Sequence, residues 1–582
     1  MKFPAWLTAA SPLFQRLQTY DRDTLFSDLI GGTVVAVMLV PQAMAYAMLA
    51  GLPPQVGLYA SILPVLLYAL FGSSNALAVG PVAMVSLLVA SGVSELAAPG
   101  SPEYISLCLT LALMVGLIQV LMAVFRFGFI VNFISHPVLK GFTSAAAIVI
   151  AFSQLKHLFG IKIESGDRPF ETILSSLSAI PEANPVTLAI GLASCALLFG
   201  ARLGFSQVLT RMGASKKLAA TLPRFAPLVA VAVTATLLFA TGWDQKNNVA
   251  IVGEIPSGLP GLAFPALSLE SLKNLFPLAL VIALVGFLES YSVAKALASR
   301  KREKVSADRE LFGLGLADLG AAVSGGFPVT GGFSRSVVSQ SAGVTTPLGS
   351  VFTAGLVAIS VLFLADLFFY IPRAVLAAII LVAVVSLINL KRPFQLWKYS
   401  RPDALAWIIT FSVVLLAGIE TGILAGVCST AVLLMWDISR PFVTKVGRVD
   451  GSEHFRNVDR FKVATYPGVI AFRIDASLIF ANSPFVEDYV LGLVAEDPTV
   501  NKLLLIATGI NEIDATGIEL LHTLHDELKS GGVDFYLSDV KGPVTDRLQE
   551  AGFDEDFLKN HIFLSADVAM KQLAPPFDHP SI

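Results

Sequence analysis

Apolar positions along this chain gather into long runs separated by short polar stretches, with none of the two-residue alternation of an exposed strand. In the first half the runs cover about 28–50, 52–71, 104–125, 137–159, 186–201 and 226–242, with a broken segment, Leu77 to Leu88 (LAVGPVAMVSLL), after the second. The second half keeps the same rhythm at about 276–298, 311–324, a broken segment from Phe327, then 349–366, 371–389, 402–418 and 421–437. Each run is near the roughly 20 residues a spanning helix needs, or somewhat short of it. The pattern predicts an all-α polytopic membrane domain of fourteen transmembrane segments, seven in each half. An odd number per half inserts the halves in opposite orientations, which is an inverted repeat.

Two positions stand out against this background. Gly325 to Val338 (GGFPVTGGFSRSVV) breaks an apolar region with four glycines and a proline and then carries an arginine. Pro81 and Pro328 are 328 − 81 = 247 positions apart, and Gln42 and Glu289 are separated by the same 289 − 42 = 247. Irregular backbone at membrane depth must be satisfied by protein or by a wet cavity, so paired breaks at one offset point to a central binding site. Pro41 is expected to interrupt the first segment near Gln42 and Tyr46.

Composition narrows the class. Of 582 residues, 55% are hydrophobic and 14% charged, whereas a soluble globular chain carries about 25% charged residues. A net charge of −3 gives no footprint for nucleic acid. Cys108, Cys195 and Cys428 lie in apolar segments without metal-ligand spacing, so neither a metal site nor a disulfide framework is expected. The first residues lack the basic, apolar and small-residue succession of a cleaved signal. Basic residues concentrate in the loops 202–224, 300–309 and 391–401, while the 94–103 loop has no Lys or Arg. That asymmetry puts these basic loops and both termini on the cytoplasmic side of the cell (inner or plasma) membrane.

After Trp436 the character changes. Residues 1–27 read as a cytoplasmic N-terminal segment and 28–437 as the membrane domain, with repeats at about 28–242 and 276–437. Residues 438–460 read as a polar linker, 461–575 as a cytoplasmic α/β domain and 576–582 as a tail. In the α/β domain VIAFRID, LLLIATGI and VDFYLSD alternate with amphipathic helical stretches, the pattern of parallel strands joined by crossover helices.

DLIGGTVVAVMLVPQAMAYAMLAGLPPQVGLYASILPVLLYALFG, LAVGPVAMVSLL, GFLESYSVAKALA, GGFPVTGGFSRSVVSQSAG and the IDATGIELL of the tail domain occur in this order. Together they resemble the SulP (sulfate permease) family of anion transporters with its C-terminal STAS domain. The resemblance implies a core and a gate domain and a homodimer. It also implies an anion held between opposed half-helices that begin near Val82 and Gly332. Family substrates include sulfate, bicarbonate, chloride, oxalate and dicarboxylates, and the SRSVV and FLES motifs resemble the sulfate-type branch. Asp318 stands where many relatives carry Asn, which makes it a candidate second carboxyl. Thr516 matches the place where related bacterial regulators carry a phosphorylated Ser; capping of the following helix accounts for it equally well.

The physics of such a site is plain. Two helix N-termini facing each other present free N–H groups and positive dipole ends to an anion. Val82 and Ala83 open the first half-helix, and Gly332, Phe333, Ser334 and Arg335 open the second, adding a hydroxyl and a fixed cation. Gln42 and Tyr46 are candidate uncharged donors. Glu289, a carboxylate in an apolar helix, is expected either to carry a coupling proton or to pair statically with Arg335 or Lys295. No enzyme and no cofactor is expected. The expected reading is a proton-coupled sulfate or related divalent-anion symporter working by alternating access. A bicarbonate or C4-dicarboxylate carrier, an uncoupled channel, and a sensor acting through a cytoplasmic partner of the STAS domain are the alternatives.

Overall fold

The computed structural model describes Leu13 and residues 20–574, apart from 133–134, 162–168, 206–209, 213–221, 266, 302 and 554. Most of the N-terminal segment, the tail, and Lys216, Lys217 and Arg302 of the expected inner loops lie outside the described residues. The chain divides into two compact units, 1–430 and 431–582.

The first unit is helical. Its main helices are α1 (Arg22–Leu49), α2 (Leu63–Phe71), α3 (Ala83–Val93), α4 (Pro102–Val124), α5 (His136–Phe159), α6 (Pro185–Gly200) and α7 (Ala226–Thr241). Then follow α8 (Leu269–Lys301), α9 (Ala307–Val323), α10 (Phe333–Ser341), α11 (Leu348–Phe363), α12 (Arg373–Val385) and α13 (Arg401–Ala417), and α14 (Ile419–Ser439) begins in this unit and ends in the second. Among the described residues, seven helices are long and apolar enough to cross a membrane, and four shorter apolar ones accompany them. Local chemistry marks the starts. The side chains of Asp21, Ser101 and Asn184 accept from backbone N–H groups two or three residues on, and proline occupies the first turn of α4 and α6. Gly160 and Gly242 close α5 and α7 in the left-handed region at φ 67° and 64°.

One expectation is corrected here. Pro41 does not break the first segment: α1 runs continuously from Arg22 to Leu49 with Pro41 buried inside it. A proline costs one backbone hydrogen bond, and neighbouring helices in a membrane interior support the helix across that gap.

Helices α4 and α9 meet at small residues. A Cβ added to Gly116 would lie 2.8 Å from the Gly315 carbonyl oxygen, and one on Gly315 would lie 2.9 Å from that of Gly116. Without side chains the two backbones approach closely, which is how helices pack where lipid supplies no hydrophobic drive. Two buried carboxylates stitch other elements together. Asp28 accepts from Thr345 N (2.8 Å), Thr346 N (3.2 Å), Tyr20 OH (3.0 Å) and the Thr346 hydroxyl. Glu310, in the first turn of α9, accepts from Tyr68 OH (2.8 Å), Ser73 N (2.9 Å) and Ser73 Oγ (2.6 Å).

The second unit holds a six-stranded sheet built from β3 (Val443–Arg448), β4 (Phe455–Asn457), β5 (Val469–Ile474), β6 (Lys502–Ile506), β7 (Asp534–Ser538) and β8 (Ile562–Phe563). The strand order is β4-β3-β5-β6-β7-β8, with β5 to β8 parallel and β3 antiparallel to both its neighbours. Residues 438–460 are therefore not a linker: they supply β3 and β4. β4 forms one edge of the sheet and β3 lies inside it between β4 and β5, and alternate positions of β3 are only half-buried, which leaves room for polar side chains. Asp514, and not Thr516, caps the helix Ala515–Ser530 by accepting from Gly517 N at 2.9 Å, while Thr516 is exposed in its first turn.

Removing the Glu310 carboxylate strands the Tyr68 hydroxyl and the Ser73 amide. Glu310→Ala is expected to destabilise the detergent-solubilised protein by roughly 2–5 kcal/mol, seen as a lowered melting temperature. An unchanged melting curve would contradict that role.

Candidate functional site

The two broken segments come together. Two short strands, β1 (Val79–Gly80) and β2 (Thr330–Gly331), precede α3 and α10, and they pair antiparallel with Val79 opposite Gly331 and Gly80 opposite Thr330. The helices α1 and α8 start 269 − 22 = 247 residues apart, the offset read from the sequence. The half-helices start 333 − 83 = 250 apart, so the prolines are not the matching points of the two starts; the turns before them absorb three residues.

The backbone groups around this crossing are satisfied by a defined set of partners. Gly332 N donates to the Ala78 carbonyl (3.0 Å), and Ala78 N donates to Ser336 Oγ (2.9 Å). Val329 N donates to Asp318 Oδ1 on α9 (2.7 Å), and Gly331 N donates to Ser290 Oγ on α8 (2.8 Å). Gly80, at φ 148°, occupies a conformation that suits glycine, and a Cβ there would sit 3.4 Å from Arg335 Nη2.

The helix starts themselves are left open. Neither Val82 at the start of α3 nor Gly332 at the start of α10 contributes a side-chain cap. The first turn of each half-helix therefore offers free N–H groups at the end where the macrodipole is positive. Arg335 lies in the first turn of α10, 3% exposed, and its Nη1 donates to the Pro81 carbonyl at 2.6 Å. Its Nε and Nη2 are buried without a hydrogen-bond partner. Leu39, Gln42 and Tyr46 share a face of α1 at i, i+3 and i+7, all buried; Leu39 lies beside Gly80 and Arg335 at one small cavity, and Tyr46 is within electrostatic reach of Arg335 and Glu289. Ala83 is buried, Val82 is half-buried, and Phe333 (54%) and Ser334 are exposed.

Glu289 projects from α8 next to Ser290. Its Oε2 is buried without a hydrogen-bond partner, and no ion pair joins it to Arg335 or Lys295. Lys295 is exposed and lies over the Tyr291 ring at 5.7 Å. The static pair is therefore not formed. Asp318 is fully buried, with Oδ1 holding Val329 N and Oδ2 unpartnered.

Comparison with known proteins fits this arrangement. Residues 25–410 match the family model described as the Sulfate permease family, and 460–569 match the STAS domain model. This chain belongs to the sulfate permease family. It is a multi-pass membrane protein of a family of transporters, not of enzymes. It is 34% identical over 583 residues to the chloroplastic sulfate transporter 4.1 of Arabidopsis thaliana, covering 98% of this chain and 83% of that one. It is 33% identical over 564 residues to a probable sulfate transporter of Mycobacterium tuberculosis, covering 96% and 97% of the two chains. Among solved structures it resembles the murine Solute Carrier 26 member A9 anion transporter in its inward-facing state, with TM-score 0.88 and 25% identity over 98% of this chain and 95% of that one. It also shares a fold with the transmembrane domain of the cyanobacterium bicarbonate transporter BicA, with TM-score 0.57 and 23% identity, covering 71% of this chain and 98% of that one.

Sequence reasoning for this sulfate permease family member missed the residues that build the crossing without lining it. Ser290, Thr330 and Ser336 are ordinary small polar residues in the sequence, and nothing in their spacing says which backbone groups they satisfy. The signal available was the backbone itself, since each N–H next to a break requires an acceptor. Ser336→Ala removes the acceptor of Ala78 N and should cost about 1–3 kcal/mol of stability, seen as a lowered melting temperature, whereas Ser336→Thr, which keeps a hydroxyl, should cost less. Equal melting of wild type and Ser336→Ala would refute this.

Proposed function

We propose that this protein is a secondary active anion transporter, a proton-coupled symporter of sulfate or a related divalent anion. In this reading α1 to α14, with the short helix Pro54–Tyr59 joined to α2, are fourteen membrane segments in two inverted halves. The anion rests between the N-termini of α3 and α10 and crosses by alternating access. The protein acts as a homodimer in the cell membrane with both termini and the STAS domain in the cytoplasm, where the domain meets a regulatory partner and Thr516 is the candidate modified residue.

The observation that carries the reading is the pair of uncapped half-helix starts beside an arginine with two unpartnered nitrogens. Each helix N-terminus is equivalent to about half a positive charge, so with the guanidinium the site offers roughly two. That matches a doubly charged anion when Glu289 is neutral, and leaves a deficit of one when Glu289 is ionised. A proton on Glu289 therefore favours loading with the divalent anion, and anion and proton travel together. Gln42 and Tyr46 supply uncharged donors from α1, and the relatives named above as sulfate transporters favour sulfate among the divalent anions. Asp318 stays a second carboxyl whose neutral form would suit its closed surroundings.

The test is uptake into proteoliposomes, with sulfate, bicarbonate, fumarate and chloride competing at controlled pH. Sulfate uptake should rise with external acidity and fall as external pH increases, because the proton must be bound on the loading side. Glu289→Gln should abolish this pH dependence and the pH-driven accumulation; accumulation that survives the substitution removes the proton role. Arg335→Gln should raise the KM for sulfate about tenfold or more, the equivalent of about 1.4 kcal/mol for lost charge-assisted hydrogen bonds. An unaltered KM would take Arg335 out of the site.

A further inference from the structure

The carboxylate of Glu289 and the half-helix start lie on different elements, and something must carry the state of one to the other if proton and anion move together. The next residue on α8, Ser290, is fully buried and turned toward β2, the strand that leads into α10. Four groups form a chain with a fixed direction. Gly331 N donates to Ser290 Oγ at 2.8 Å, and Thr330 Oγ1 donates to the Gly286 carbonyl at 2.8 Å. The two hydroxyls lie 2.6 Å apart. Thr330 has one hydroxyl proton and the Gly286 carbonyl takes it, so Ser290 is the donor between them. The chain leaves α8 at Ser290, passes through both hydroxyls and returns to α8 one turn earlier.

This clamp is closed and dry. Ser290 is 0% exposed and Thr330 1%, and a Cβ on Gly286 would sit 3.3 Å from Thr330 Oγ1, so the strand rests directly against the helix. Val329 N is held separately by Asp318 from α9, and Gly332 N by the Ala78 carbonyl. The clamp is thus the tie from the Glu289 helix itself to the two residues before the Gly332 start. Among the described residues, Arg335 on α10, Lys140 on α5 and Tyr46 on α1 lie within electrostatic reach of Glu289. Of these, Arg335 sits on the half-helix that the clamp positions.

We propose that Ser290 and Thr330 are positioning residues that couple Glu289 to the anion site, by making any displacement of α8 at Glu289 a displacement of the α10 start. This rests on the proton-coupled reading above. Without the hydroxyl chain, α8 keeps its tie to the far end of α10, where Gln340 Nε2 donates to the Leu297 carbonyl at 3.2 Å, but loses its hold on β2 at the α10 start, and the anion can cross without its proton.

The experiment uses full-length protein in proteoliposomes and two readouts: sulfate exchange at equal pH on both sides, and sulfate accumulation driven by a pH gradient. Thr330→Val keeps the shape and removes the hydroxyl, Ser290→Ala removes the other, and Thr330→Ser restores the hydroxyl on a smaller side chain. The expected result is that Thr330→Val and Ser290→Ala still exchange sulfate but accumulate it about fivefold less or worse relative to that exchange. Thr330→Ser should keep the wild-type ratio. Should accumulation and exchange fall in the same proportion in Thr330→Val, or should Thr330→Ser lose the ratio as well, the clamp is only structural and the proposal is overturned. Wild-type protein that exchanges sulfate but shows no pH-driven accumulation overturns the proton-coupled reading and the clamp with it. Wild-type accumulation matched by Thr330→Val overturns the clamp alone. If Thr330→Val does not fold, Ser290→Ala gives the same decision.

Discussion

A peptide group cannot be left without a partner inside a bilayer, and the middle of this protein is arranged around that requirement. Two chain segments stop being helical at membrane depth, and each would be costly alone. They pair with one another through Val79–Gly80 and Thr330–Gly331, and the remaining amides go to Ser290, Asp318 and Ser336. The amides that stay free are those at the starts of α3 and α10, where an incoming anion would complete them.

The same economy governs the charges. Asp28 and Glu310 are buried, yet each accepts several hydrogen bonds and acts as a staple between distant parts of the helical unit. Glu289 and Arg335 are different, because each keeps buried polar atoms without partners and they form no ion pair with each other. A paired acid and base would be stable and inert; an acid and a base held apart can each bind something else. In the proposed function that distinction separates groups that hold the fold from groups open to a solute and a proton, and both kinds look alike as isolated letters in an apolar run.

Much of this was legible in the sequence. Most helix boundaries fell within a few residues of the apolar runs, because composition and length leave few other outcomes, but α1 and α8 begin six and seven residues earlier, at Arg22 and Leu269. The 247-residue offset of Gln42 and Glu289 equals the spacing of the starts of α1 and α8. Pro41 misled, since a proline signals a break in water but is tolerated where neighbouring helices support the backbone. Residues 438–460 misled in the opposite direction: their polar, mixed-charge composition reads as a linker, and β3 and β4 show their strand character only by pairing. Ser290, Thr330 and Ser336 were invisible because they serve particular backbone groups, two amides and the Gly286 carbonyl, and that depends on a fold brought together over some 250 residues, as between Ala78 and Ser336.

In the proposed function a negative solute rests between the starts of α3 and α10. The most direct measurement is a structure determined with selenate in place of sulfate, locating the heavy atom by its anomalous signal. The account predicts one peak within hydrogen-bonding distance of the first amides of both half-helices and of the Arg335 guanidinium. A bound selenate elsewhere in the helical unit, with that crossing left empty, would contradict it.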